Sequence, residues 1–220
     1  METPLTILYT HRIRGELSIL PRMFNFIRQL QAYYSEDDVR MCPDDPTPPG
    51  GRTLLVDLGE SCAPEVWPCA LTGGRSTLVV LDAMGYAAAN VSGVLTAEAR
   101  ARLGDSLQIG LVDAAHSWKH DDIVLTLTAG AELEPAALHV ILSPAGATRL
   151  EGSRLYLRGV EGTQIGAARL TALDESGTIV TLQTSEVFDL PTRTLPDPTI
   201  AGLVDFVVSE ARYTEKRMGR

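Results

Sequence analysis

Residues Ile7–Leu30 read ILYTHRIRGELSILPRMFNFIRQL, and the order of their parts decides the architecture. The run Leu5–Thr10, preceded by Pro4, is short and rich in β-formers. It predicts a buried strand. Pro21 stands at a first-turn position, where a helix tolerates proline. From there Met23, Ile27, Leu30 and Tyr34 recur at helical spacing, with Phe24 beside them and Arg22, Arg28 and Gln29 elsewhere. The spacing predicts an amphipathic helix of about 14 residues. A buried strand running through a polar turn into such a helix opens a βα unit.

Downstream the pattern repeats. Thr53–Leu58 predicts a second apolar strand ending at Gly59. Leu71–Met84 predicts a helix, or a turn and helix, around Gly73-Gly74, with Gly85 as its stop. Further strands are expected at Ala87–Val91, Leu107–Val112, Ile123–Thr128 and His139–Leu142. A short helix capped by Thr96 is expected through Leu103, and a helical turn at Pro135–Leu138. Strands alternating with helices imply a largely parallel sheet. The last third is β-rich at Leu155–Arg158, Gln164–Leu173 and Thr178–Val187, with Asp174–Gly177 as a hairpin turn. Thr199–Tyr213 predicts a final helix with Ile200, Leu203, Val204 and Val207 on one face. Residues 1–220 read as one domain. Residues 35–52, with four aspartates, four prolines and Gly50-Gly51, form an expected exposed loop, and 214–220 an expected frayed tail.

The chain carries 19 Lys and Arg against 28 Asp and Glu, for a net charge of −9. That balance repels phosphate backbones and disfavours nucleic-acid binding. No apolar run approaches the ~18 residues of a membrane span, and METPLTILYTHRIRG lacks the basic and apolar regions of a secretory leader. Cys42, Cys62 and Cys69 contain no CxxC spacing and give no zinc site. The sequence therefore predicts a cytoplasmic protein with reduced thiols and no membrane contact. Of the four histidines, His116 and His120 are spaced i, i+4, but HSWKHDD reads as a solvated loop or turn rather than a ligand pair. No GxSxG and no Walker loop is present.

In order along the chain, four stretches resemble motifs of the calcineurin-like metallophosphoesterases, in their 5′-nucleotidase-like branch. They are the opening segment, TLLVDLGES (Thr53–Ser61), TGGRSTLVVLDAMGYAAANV (Thr72–Val91) and VILSPAGATRLEG (Val140–Gly152). The following β-rich segment and DPTIAGLVDFV (Asp197–Val207) also resemble the end of that domain. The resemblance spans nearly the whole chain. It implies an α/β fold, a metallophosphoesterase-like sandwich of two mixed sheets flanked by helices.

The departures from the family matter as much. The first-motif Asp and His positions hold Arg12 and Arg14, and the bridging Asp is Glu60. The Asn-His pair falls at about Gly93 and Val94, and a further ligand His near Ala129. The Gly-His-x-His motif reads Pro144-Ala145-Gly146-Ala147. Two-metal hydrolysis needs carboxylates and imidazoles converging on dications. Guanidinium cannot ligate and repels them. The resemblance therefore implies a vestigial site of Arg12, Arg14, Asp57, Glu60, Ala145 and Ala147, with no bound metal, no cofactor and no catalytic residue.

Two roles for the arginines stay open. They pair with Glu60 and Asp57 and fill the old pocket, or they hold a small anion or nucleotide. The expected function is a non-catalytic binding or scaffolding module, with a protein partner or a homo-oligomer. A small-anion sensor and a diverged hydrolase are the alternatives. The chain is short relative to the family between about Ala99 and Asp122, which should leave part of a sheet or helix uncovered for contacts.

Overall fold

A computed structural model describes residues 3–41, 52–95, 97–103, 106–128, 136–173 and 181–219. In chain order the elements are β1 Thr3–Thr10, α1 Leu20–Met41, β2 Arg52–Asp57, α2 Cys69–Thr72, α3 Arg75–Ala83, β3 Ala88–Asn90 and α4 Ala97–Leu103. Then follow β4 Gly110–Val112, β5 Trp118–His120, β6 Ile123–Thr126, β7 Leu138–Ala145, β8 Arg149–Glu151, β9 Arg154–Arg158, β10 Gln164–Leu173, β11 Leu182–Asp189 and α5 Pro198–Arg217. A 3-10 turn, Leu17–Ile19, leads into α1.

The strands form two mixed sheets. The first has the order β11-β10-β1-β2-β3-β4 and the second β5-β6-β7-β9-β8. In the first, β1, β2, β3 and β4 run parallel, β10 runs antiparallel to β1, and β11 antiparallel to β10. This is the expected α/β sandwich.

Period-two alternation assigns the faces of each strand. On β1, Leu8 joins Met23, Ile27, Leu30 and Tyr34 of α1 and Ile200 and Val207 of α5 in a core between sheet and helices. Its neighbours Ile7 and Tyr9 join Val140, Leu142, Leu155 and Leu157 in a second core between the two sheets. Each of these side chains contributes roughly 1.5–3 kcal/mol by leaving water. Tyr9 lies flat over β10, and only glycine fits beneath it: a Cβ on Gly166 would come within 2.0 Å of the ring.

Several elements differ from their sequence reading. Helix α1 runs on to Met41, into the stretch read as the start of the exposed loop, and 42–51 lie outside the described residues. Helix α5 begins at Pro198 under an Asp197 cap and stays helical to Arg217, into the segment read as a tail from 214. The Asp197 carboxylate accepts from the amides of Thr199 and Ile200 at 2.9 and 3.0 Å. HSWKHDD is not a plain loop, because Trp118–His120 pairs antiparallel with β6 as an edge strand. The turn expected at Pro135–Leu138 ends in β7 at Leu138, with Pro135 outside the described residues. Thr96, Ala129 and the turn at Asp174–Gly177 lie outside them too.

Cys62 and Cys69 are joined in a disulfide, in place of the reduced thiols read from the sequence. Among the described residues no helix is long and apolar enough to cross a membrane.

Candidate functional site

The carboxyl ends of parallel strands converge where an open α/β sheet places its ligands. Here the pairing of β1 with β2 continues past both strands as four backbone hydrogen bonds. The amide of Leu58 donates to the Thr10 carbonyl at 2.8 Å, Arg12 to Gly59 at 3.1 Å, Arg14 to Glu60 at 2.8 Å and Gly15 to Ser61 at 2.8 Å. Two loops are thereby zipped together.

Zipping them demands unusual backbone. Arg12 (φ 61°), Arg14 (φ 52°) and Glu60 (φ 53°) all adopt left-handed conformations, which side chains with a Cβ rarely take. Such residues cost about 1–3 kcal/mol each and persist where surroundings over-determine them. Gly15, also left-handed, rests on the disulfide: a Cβ there would stand 2.6 Å from Cys69 Sγ.

The side chains meet above the strand ends. Arg14 donates from Nε and Nη2 to Glu60 Oε2 at 3.3 and 3.0 Å. Arg12 Nε lies 3.6 Å from Glu60 Oε1, and its Nη1 donates to Glu161 at 3.2 Å. The cluster is open to water, with the Arg14 and Glu60 side chains 59% and 48% exposed. The hydrogen bond from Arg14 is the main influence holding the Glu60 carboxyl below the ordinary glutamate range.

Beneath this lid everything is buried. His11 Nε2 faces Glu60 Oε1 at 3.7 Å. The backbone of Val160 lies near the ring, yet Nδ1 has no hydrogen bond of ordinary geometry. Burial lowers the His11 pKa, so the ring is neutral at pH 7.

Asp57 is fully buried and pairs with neither arginine, against one of the two sequence readings. Its Oδ1 accepts from the Thr10 hydroxyl at 3.1 Å and its Oδ2 from the Gly59 amide at 3.1 Å. The Thr10 oxygen lies 3.0 Å from the Tyr86 phenol. Ser61 lies close to the carboxyl without a hydrogen bond of ordinary geometry. Burial outweighs these bonds and pushes the Asp57 pKa up to about 8.

At the third strand end stands Asn90, the last residue of β3. Its amide nitrogen donates to the carbonyls of Leu58 at 2.9 Å and Leu142 at 3.3 Å, and its oxygen accepts from Ser92 at 3.0 Å. Of these bonds the one to Leu142, in β7, ties the first sheet to the second. Ala145 ends β7 and accepts from Gly159 at 3.0 Å, while Ala147 is exposed in the turn before β8. Gly159 lies between the His11 ring and Pro144, bringing the end of β7 alongside the cluster.

Structure thus draws Arg12, Arg14 and Glu60 together, sinks Asp57 below them and puts Ala145 at the rim. Sequence reasoning missed Glu161, Asn90, Thr10 and Tyr86, and counted His11 without placing it. A polar residue closing an apolar strand was the one signal for Thr10 and Asn90.

No family model matches this sequence, and no curated protein does. Solved structures do match in fold. One is a 5′-nucleotidase precursor from Thermus thermophilus, at 12% identity and TM-score 0.56, covering 94% of this chain and 58% of that one. Another is the NAD nucleotidase NadN of Haemophilus influenzae, at 9% and 0.54, covering 96% and 61%. A third is the calcineurin-like phosphoesterase YfkN from Bacillus subtilis, at 11% and 0.54, covering 98% and 100%. The chain spans about three-fifths of the first two. The likeness is one of fold: two mixed sheets with helices, as in calcineurin-like phosphoesterases.

Proposed function

We propose that this chain is a non-catalytic member of the metallophosphoesterase-like fold, retained as a binding or scaffolding module. The single observation that carries the reading is the pair of guanidiniums closed over Glu60 at the strand ends. A two-metal phosphoesterase needs dications there to generate hydroxide and to stabilise attacking and leaving oxygens. Guanidinium offers five donors and no lone pair, and it repels a dication.

The remaining donors fit metals poorly. Glu60 is engaged by Arg14 and approached by Arg12. The Asn90 amide has both ends in hydrogen bonds. Asp57 is fully buried, without a positively charged hydrogen-bond partner. We therefore assign no metal and no catalytic residue, and read Arg12, Arg14, Asp57, Glu60, Ala145 and Ala147 as a vestigial site.

Metal content measured with turnover of a chromogenic phosphodiester tests this. We expect no stoichiometric Mn, Zn, Fe or Ni and no turnover with these ions added. About two metals per chain, with turnover lost on Asp57→Asn, would overturn it.

A second reading, a small-anion or nucleotide sensor, is favoured by the strained backbone of Arg12 and Arg14, because such strain gathers at binding sites. Phosphate or a nucleotide would then swing the guanidiniums off Glu60 and Glu161. Ligand would raise the melting temperature of the wild type and not of the double alanine variant.

The compartment is the remaining part of the proposal. The sequence points to the cytoplasm, but the Cys62–Cys69 bond favours oxidising surroundings, where disulfides persist.

A further inference from the structure

Helix α5 turns Ile200, Val207 and Ala211 inward, and all three are buried. Its opposite side carries Gly202, Phe206, Ser209, Tyr213 and Lys216, spaced four, three, four and three, and all five are exposed. Phe206 is 60% and Tyr213 63% exposed. A four-three repeat of this kind is the spacing of a coiled-coil seam. Phe206 and Tyr213 set two large rings on this exposed face one heptad apart, with the Arg217 guanidinium 5.9 Å over the Tyr213 ring.

The seam is complementary to itself. Set a second α5 antiparallel so that Phe206 faces Ser209 of the second copy. The same register sets Tyr213 against Gly202, where a large ring meets open space. By the twofold axis, both large-on-small contacts occur twice. Charge agrees with shape. Asp205 and Arg212 are exposed, one heptad apart on the same flank of the seam. In the antiparallel register Asp205 of each copy faces Arg212 of the other. In a parallel pair each would face its like.

We propose that α5 is the seam of a homodimer, taking a second copy's α5 antiparallel, with Phe206 on Ser209, Tyr213 on Gly202 and Asp205 beside Arg212. This deepens the binding-module reading by naming the partner as another copy of the chain. The seam is a single helix of 20 residues, so the contact is small and the dimer is in exchange with monomer.

The test is the mass of the full chain by sedimentation equilibrium, from low micromolar to the solubility limit. We expect a concentration-dependent shift from one chain mass to two. Phe206→Glu should abolish it while leaving the circular dichroism spectrum intact. Asp205→Arg alone and Arg212→Asp alone should each weaken association at least several-fold, and the two together should restore it. A wild type monomeric at every concentration would overturn the proposal. So would a dimer indifferent to Phe206→Glu, or charge variants that do not rescue one another. Metal content and turnover decide the binding-module reading; mass alone decides this one.

Discussion

Arg14 and Glu60 are joined twice, once through their side chains at 3.0 Å and once through their backbones, amide to carbonyl, at 2.8 Å. The two residues also share left-handed φ angles. The backbone bond fixes where the two loops lie, and the side-chain pair then forms across a gap already set. The ion pair is therefore a consequence of the loop geometry rather than its cause.

Arg14→Ala should accordingly cost little. Exposed pairs are worth about 0.2–1 kcal/mol, and alanine keeps the left-handed strain. Arg14→Gly removes that strain, worth about 1–2 kcal/mol, at the expense of a floppier unfolded chain. Thermal unfolding should rank Arg14→Gly at or above Arg14→Ala. The reverse order would show that the side-chain contact dominates.

Thr10→Val should be far more damaging than either. It takes the Thr10 hydroxyl from the Tyr86 phenol and from Asp57 Oδ1, leaving the carboxyl only the Gly59 amide on Oδ2, and an orphaned buried polar group costs about 1–3 kcal/mol. Urea unfolding of the two variants side by side would expose the contrast.

Asp57 gives stability an unusual pH slope. Its folded pKa is raised to about 8, above the unfolded 3.8, so the folded state holds the proton more tightly. The contribution is complete below the unfolded value and is lost as pH rises toward the folded one. Glu60 and His11, both lowered, contribute in the opposite sense and weaken the fold as pH falls. Asp57→Asn, neutral at every pH, should flatten the decline between about pH 5 and 8. Melting temperatures across that window would reveal it, and an unchanged slope would locate the proton elsewhere.

The three cysteines should titrate unequally. Denatured without reductant, the chain should show one reactive thiol, and after reduction three. Cys69→Ser should lose about 2–3 kcal/mol, the scale for closing so short a loop.

Legibility followed the strength of local pattern. The reading of Gln164–Leu173 as a strand coincides with β10, because turn residues bracket a long apolar run. Strand β5 escaped because Trp118, Lys119 and His120 are all exposed and show no alternation. Arg12, Arg14 and Glu60 were found from motif order, which fixes strand ends. Glu161 could not be, since 149 residues separate it from Arg12 and only the return of the chain after β9 brings it near. Asn90 was missed because its two carbonyl partners, Leu58 and Leu142, lie 32 and 52 residues away in sequence. The chemistry of Asp57 was hidden for a related reason: depth decides whether a carboxyl keeps its proton, and depth is a property of layers.

Strand β1 lies between β2 and β10, with Thr6 paired to Thr53 on one side and Arg169 on the other. Strand β1 thus waits for a partner that follows more than 150 residues later in the chain. Until residues 164–173 emerge, one edge of β1 stays open and Tyr9 lacks the glycine it lies over. Loop closure over that span slows folding and lengthens the time an unpaired edge is presented to other chains. A growing chain would need shelter throughout the synthesis between β1 and β10, and no cut within the described residues before β10 would leave a piece in which β1 has both of its neighbours.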